Sequence, residues 1–123
     1  MKVTLYGIPN CDQVKKARVW LSEHHIDVHF HDFKKAGVTP ELISSWLPHI
    51  STSTLINRKG TTWRKLPEHE QTLIVDDQSA IGCMVSHPSV IKRPVLVMQN
   101  NKQTDIVAGF SDENYQRLFS RTE

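Results

Sequence analysis

Apolar positions at the start of the chain follow two different periods. Residues 2–6, KVTLY, are dominated by β-branched and aromatic side chains, which predicts a strand. A helix with one buried face is predicted where apolar residues recur at three- and four-residue intervals, at Val14, Ala17, Trp20 and Leu21. Residues 26–33, IDVHFHDF, alternate apolar and polar side chains, which predicts a second strand. The first 33 residues therefore predict a right-handed β-α-β unit with parallel strands.

The middle of the chain, from about residue 38 to 88, predicts several short helices. Thr39 is a favourable N-cap, and Pro40 is a favourable first helical residue. Residues 51–66 are polar and predict a short helix with a loop, and Pro67 begins another predicted helix. The segment DDQSAIGCMVSHP predicts a last helix, whose inward side chains are Ile81, Met84 and Val85.

The end of the chain predicts two strands and a helix. The stretch RPVLVMQNNKQTDIVAGF reads as a hairpin around the polar pair Asn100 and Asn101. The stretch SDENYQRLFSRT predicts a helix that Ser111 caps and whose first turn carries two acidic residues.

This order of elements predicts the fold class. A β-α-β unit and a β-β-α unit that share one sheet form the thioredoxin-like arrangement. We therefore predict a single α/β domain with a thioredoxin-like (glutaredoxin-like) core at about residues 1–37 and 89–123. An inserted helical subdomain, at about residues 38–88, would separate the two halves of this core.

Composition narrows the functional classes. The 15 Lys and Arg residues against 13 Asp and Glu residues are too balanced to indicate nucleic-acid binding. No apolar run approaches the roughly 20 residues of a membrane span, and the N-terminus lacks the apolar stretch of a signal peptide. We therefore expect a cytoplasmic protein, monomeric by default. Seven histidines are present without the cysteine pair or carboxylates that complete a metal site, so no metal is expected.

Cys11 is the first candidate for chemistry, because it falls between the first strand and the first helix. Backbone N–H groups at a helix start stabilise an anion, and the thiolate is the nucleophilic form of cysteine. Lys15 adds positive charge one turn later, whereas Asp12 acts against the thiolate. Two interpretations are open at this point, a nucleophile and an inert apolar cysteine.

A second cysteine three residues after Cys11 would resolve a mixed disulfide, but Val14 occupies that position. The only other cysteine, Cys83, lies in an apolar helical pattern beside Met84 and Val85, which predicts a core cysteine. In a reducing compartment we expect no structural disulfide between the two thiols.

Arg93 and Pro94 directly precede the predicted third strand. Pro94 fits a strand start because proline cannot donate to the ladder. In a thioredoxin-like fold a proline at this position packs against the nucleophile and usually follows a cis bond, so we predict a cis peptide here. Arg93 is then either an anion clamp near Cys11 or a surface arginine.

Residues 55–66, LINRKGTTWRKL, contain a local cluster of cationic side chains: Arg58, Lys59, Arg64 and Lys65. The cluster is either a solvated loop or an anion-binding lip, and Arg58 is its best candidate. Trp63 is predicted to be a packing residue.

Four segments together resemble the arsenate reductase-related (ArsC/Spx) family, and the YffB-type branch most closely. They are LYGIPNCDQVKKARVWL, LINRKGTTWRKL, IKRPVLV and GFSDENYQRLF. The resemblance implies a thioredoxin-like core with an inserted helical subdomain. It also implies that Cys11 is the catalytic cysteine and that Arg58 and Arg93 bind the anion.

The resemblance implies a monothiol, glutathione-dependent thiol–disulfide oxidoreductase with no bound cofactor and with glutathione, or another small thiol, as co-substrate. Its substrate would be a protein disulfide or an oxyanion, held by Asn10, Lys15, Arg58, Arg93 and Pro94. Arsenate reductases of the family carry a further arginine near the position of Gly109, and this chain has none there. The alternatives are an arsenate reductase-like enzyme and a protein-binding regulator of the Spx type, although the Cys-x-x-Cys of Spx proteins is absent.

Overall fold

The first helix joins two parallel strands, as predicted. In the computed structural model, which describes residues 1–120, β1 spans Lys2–Gly7, α1 spans Asp12–Glu23 and β2 spans His29–Asp32. β1 and β2 pair in parallel, and Gly7 lies opposite Asp32 at their carboxyl ends. The predicted β-α-β unit with parallel strands is therefore confirmed.

The predicted second strand is too long at both ends. Pairing begins at His29 rather than at residue 26, and Phe33 begins a short helix, α2 (Phe33–Ala36), instead of ending the strand. The carboxylate of Asp32 accepts a hydrogen bond from the backbone N–H of Lys34 at 2.9 Å, so it caps the turn that ends the strand.

Two antiparallel strands complete the sheet. β3 (Val95–Gln99) pairs with β1 and with β4 (Thr104–Ala108), which gives the strand order β2-β1-β3-β4. In the turn between them, the side-chain carbonyl of Asn100 accepts hydrogen bonds from the N–H groups of Lys102 and Gln103, at 2.8 and 2.9 Å. The predicted hairpin is confirmed.

Seven further helical segments lie within residues 40–120. They are α3 (Pro40–Trp46), α4 (Thr52–Leu55), α5 (Thr61–Lys65), α6 (Glu68–Thr72), α7 (Asp77–Ser86), a 3₁₀ turn (Pro88–Val90) and α8 (Asp112–Ser120). The predicted caps are present, since the hydroxyls of Thr39 and Ser111 accept from the N–H groups of Leu42 and Asn114 at 3.1 Å each. Two predictions extend outside the described residues. The last helix was predicted to continue through residues 121 and 122, and the core through residues 121–123.

Two compact units make up the described chain. The first combines Met1–Lys34 with residues 93–120, and the second is Lys35–Lys92. In the first unit α1 and α8 cover one face of the sheet with a continuous apolar core, formed by Val3, Leu5, Val14, Ala17, Trp20, Leu21, Leu96, Met98, Tyr115, Leu118 and Phe119. The indole N–H of Trp20 also donates to the carboxylate of Asp112 at 2.6 Å.

The second unit is built around α7, which contacts α3, α4 and the 3₁₀ turn. Asp76 and Ser79 form a capping box at the start of α7. Met84 is buried as predicted, whereas Ile81 and Val85 are half-buried and Ala80 faces inward with them. None of the helices within residues 1–120 has the length and apolar character needed to cross a membrane.

Candidate active site

Cys11 occupies the N-cap position of α1. Its backbone is extended, with φ −111° and ψ 129°, and its carbonyl accepts the N–H of Lys15 at 2.9 Å. Its side chain makes no capping hydrogen bond, and it is half-buried against the core of the first unit. The thiol therefore lies at a helix start, where the first backbone N–H groups have no partner within the helix and favour an anion.

Gly7 and Val14 explain how α1 approaches the end of β1. A Cβ atom at Gly7 would lie 2.8 Å from Cγ2 of Val14, and the Val14 side chain has no exposed surface. The position of the second cysteine in a Cys-x-x-Cys motif is thus filled by a side chain packed against the strand end. Among the described residues, Cys11 is the only thiol of the first unit.

Arg93 and Pro94 lie at the end of the sheet where β1 finishes. Tyr6 pairs with Val95, so β3 begins beside the last residues of β1. The Arg93–Pro94 bond is cis, as predicted, and the carbonyl of Pro94 accepts the N–H of Gly109 at 2.8 Å. Pro94 is buried and Arg93 is half-exposed. The register therefore brings Cys11, Arg93 and Pro94 to one end of the same sheet.

Asn10 and Lys15 are exposed on either side of Cys11 in the sequence. Within residues 1–120 the side chains of Asn10, Lys15 and Arg93 form neither an ion pair nor a hydrogen bond. Their donors are thus available to an anionic ligand.

An aromatic pair at the same end of the sheet was not anticipated from the sequence. Tyr6 and His31 are register partners, and the centroids of their rings lie 4.8 Å apart. The centroid of the Phe33 ring lies 6.3 Å from that of Tyr6. Partial burial raises the pKa of Tyr6, although a hydrogen bond with Thr4 opposes the shift. The sequence carries no signal for this pair, because the register of β1 against β2 decides which of their residues lie opposite each other.

Arg58 belongs to the second unit, where its guanidinium lies over the Trp63 ring at 5.0 Å from the centroid. Trp63 is almost fully buried, so its predicted packing role is confirmed. Arg58 is also near enough to Cys83 to lower the pKa of that thiol, although burial and the charge of Glu70 raise the pKa by more.

Cys83 is not the core residue that the sequence predicts. It is half-exposed and lines a surface cavity, because Ala80 and Met84 take the buried positions of α7 and turn Cys83 to the side of the helix. No cluster of three or more potential metal ligands occurs among residues 1–120.

Known proteins resemble this chain over nearly its whole length. The model of the ArsC family matches residues 6–118. An uncharacterized protein of Haemophilus influenzae is 34% identical over 96% of this chain and 99% of its own. A global transcriptional regulator Spx of Streptococcus pyogenes is 26% identical over 97% of this chain and 86% of its own.

Two solved structures support the same relationship. A protein described as YFFB (PA3664) is 40% identical and superposes with a TM-score of 0.82, over 94% of this chain and 97% of its own. An arsenate reductase (ArsC) related protein of Brucella melitensis is 44% identical with a TM-score of 0.72, over 97% and 95% of the two chains.

Proposed function

Because the chain belongs to the ArsC family and has its thioredoxin-like fold, we propose that it is a monothiol, glutathione-dependent thiol–disulfide oxidoreductase with Cys11 as nucleophile. The observation that carries this proposal is the position of Cys11 at the N-cap of α1, at the end of the sheet that also holds Arg93 and the cis bond to Pro94. A thiol in that position has helix N–H groups to stabilise its anion, and it is only partly buried, so a disulfide can reach it.

In the first step the Cys11 thiolate attacks the glutathione sulfur of a mixed disulfide, R–S–S–G. A Cys11–S–S–G bond forms, the original S–S bond breaks, and R–S⁻ leaves with its electron pair and takes up a proton. In the second step the thiolate of free glutathione attacks the same glutathione sulfur. Oxidised glutathione is released and Cys11 returns as a thiolate. One free glutathione is consumed in each turnover, and the other half of the oxidised glutathione comes from the mixed disulfide.

The second step uses an external thiol because the first unit has no second cysteine within its described residues. Val14, buried where a resolving cysteine would stand, supports this assignment. Glutathione is a suitable co-substrate because its carboxylates match the donors that surround Cys11 in the sequence and at the sheet end.

Arg93 is proposed as the principal anion clamp, with Asn10, Lys15 and the backbone at Pro94 as further contacts. A guanidinium holds a carboxylate through two parallel hydrogen bonds, which a lysine cannot reproduce. Arg58 is proposed to bind anionic substrate as well, and this role rests on the family resemblance alone.

The test is turnover of a glutathionylated peptide with glutathione, followed by the release of oxidised glutathione. We expect Cys11→Ser to abolish turnover and Cys83→Ser, the matched control, to leave it unchanged. Arg93→Ala should lower kcat/KM by about 10- to 100-fold, which corresponds to one lost charge-assisted hydrogen bond or more, and Arg93→Lys should recover only part of that loss. Turnover that survives Cys11→Ser would refute the proposal.

A second candidate is a protein-binding regulator, because the Spx regulator of Streptococcus pyogenes aligns with 97% of this chain. For a regulator of this kind, we expect the Cys11→Ala variant to bind the partner protein as the unmodified chain does. Reduction of arsenate is a third possibility, suggested by the Brucella melitensis relative, but β4 and Gly109 offer no arginine beside Pro94. Arsenite formation in the same glutathione assay separates it from disulfide reduction.

A further inference from the structure

An exposed apolar strip follows α6 in the second unit. Leu73 and Val75 are 67% and 79% exposed, and Ile74 between them is half-buried. Single exposed apolar side chains are common on protein surfaces, but neighbouring ones beside a concave surface mark an interaction site.

A cavity of about 200 Å³ opens next to this strip. Leu66, Leu73 and Ile74 form its apolar wall, and Cys83 and His87 lie on the α7 side. A cavity of roughly 150 Å³ is enough for benzene, so one aromatic or branched aliphatic side chain fits here. Gly82 also lines the cavity, and the space where its Cβ would stand is empty to 4 Å.

Glu70 lines the cavity, and further carboxylates precede and follow the strip in the sequence. Residues 68–77 contain no Lys or Arg and carry four acidic residues, namely Glu68, Glu70, Asp76 and Asp77. Hydrogen bonds from the backbone and hydroxyl of Ser79 lower the pKa of Asp76, so this carboxylate is ionised at neutral pH. At Cys83, on the cavity wall, the charge of Glu70 raises the pKa of the thiol and the charge of Arg58 lowers it by less. The segment 68–77 therefore carries a formal charge of −4, in a chain whose formal net charge is +2.

We propose that this surface, the acidic groove formed by residues 66–87, binds a basic amphipathic segment of a partner protein. One large apolar side chain of that segment enters the cavity, and its neighbours cover Leu73 and Val75. Lysine or arginine side chains on the same segment face Glu68, Glu70, Asp76 and Asp77. This mode combines an apolar anchor with charge complementarity, which determines the orientation of the partner and its rate of association.

The groove is chemically distinct from the Cys11 site. Its carboxylates repel the carboxylates of glutathione, whereas the donors of Asn10, Lys15 and Arg93 attract them. The proposal therefore does not depend on the redox activity of Cys11.

The test uses two synthetic helical peptides with the same apolar stripe, one with lysines and the other with glutamates on the flanking positions. Binding to the full chain is measured by fluorescence polarisation and by ¹H–¹⁵N chemical-shift changes. We expect the lysine peptide to bind with shifts confined to residues 66–87, and its affinity to fall as salt is raised. The glutamate peptide should not bind there.

Variants separate the contribution of the carboxylates to peptide binding from that of the exposed apolar side chains. Glu68→Lys combined with Glu70→Lys should weaken the lysine peptide at least tenfold, and Leu73→Ser combined with Val75→Ser should do the same. The matched controls are Glu23→Lys and Val19→Ser, which alter an exposed acidic residue and a 57% exposed apolar residue of α1. Both controls should bind the peptide as the unmodified chain does.

Four results would overturn the proposal. The first three are equal binding of the two peptides, shifts outside the groove, and no binding of the lysine peptide at millimolar concentration. A fourth is concentration-dependent self-association that Leu73→Ser with Val75→Ser abolishes, because the occupant would then be a second copy of this chain.

Discussion

Gly7 approaches Val14 so closely that the end of β1 has no room for a side chain. The added methyl group of Gly7→Ala would lie 2.8 Å from Cγ2 of Val14, so one of the two elements must move. Overpacking of this kind costs about 1–3 kcal/mol of unfolding free energy. Since Gly7 lies four residues before Cys11, the same displacement should reduce turnover.

Shortening the Val14 side chain should relieve the clash that Gly7→Ala creates. Val14→Ala removes two buried methyl groups, at about 0.5–1.5 kcal/mol each, so alone it costs about 1–3 kcal/mol. In the double variant the Gly7→Ala methyl enters the space that Val14→Ala vacates. We therefore expect the double variant to be about 1–2 kcal/mol more stable than the sum of the single effects predicts.

The free energy of unfolding is measured in urea, with far-ultraviolet circular dichroism as the signal. The four proteins are the unmodified chain, the two single variants and the double variant. Gly82→Ala is the matched control, because it adds the same methyl group in open space on α7 and should stabilise the chain by about 0.5–1 kcal/mol. Additivity of Gly7→Ala and Val14→Ala within about 0.5 kcal/mol would refute the close contact.

Three further predictions follow from titratable groups. The buried hydroxyl of Tyr115 has no hydrogen-bond partner within residues 1–120, so Tyr115→Phe should leave stability to urea unchanged or raise it by about 1 kcal/mol. Alkylation of Cys83, followed by peptide mass spectrometry, should need a higher pH than an ordinary thiol does. Glu70→Gln should lower its midpoint and Arg58→Gln should raise it, because the two charges act in opposite directions on the Cys83 pKa. Asp76→Ala should destabilise the chain at neutral pH. Hydrogen bonds from Ser79 lower the Asp76 pKa in the folded state. The difference in unfolding free energy between the unmodified chain and Asp76→Ala is therefore fully present above the usual Asp pKa of about 3.9. It disappears as the pH falls through the lower pKa of the folded state.

Much of the fold was predictable because it depends on local signals. Apolar periodicity identified β1 and α1, the caps at Thr39 and Ser111 marked helix starts, and Asn100 marked the hairpin. Each of these signals lies within a few residues of the element that it determines. The ArsC family resemblance, carried by four segments, is likewise confirmed.

The candidate site was predictable only in part. Cys11 at a helix start and the cis bond before Pro94 followed from the order of elements. The pairing of Tyr6 with His31 did not, because it depends on which strand positions become register partners.

What the sequence by itself determined is the order of the four strands and the longer helices, and the position of Cys11 between β1 and α1. The tertiary structure decided which surfaces those elements present. Phe33 left the predicted strand because the Asp32 side chain caps a turn there, and Cys83 left the predicted core because Ala80 and Met84 occupy the buried face of α7. Periodicity is a property of one segment, whereas burial depends on the neighbours that pack against it, and those neighbours are brought together only by the fold.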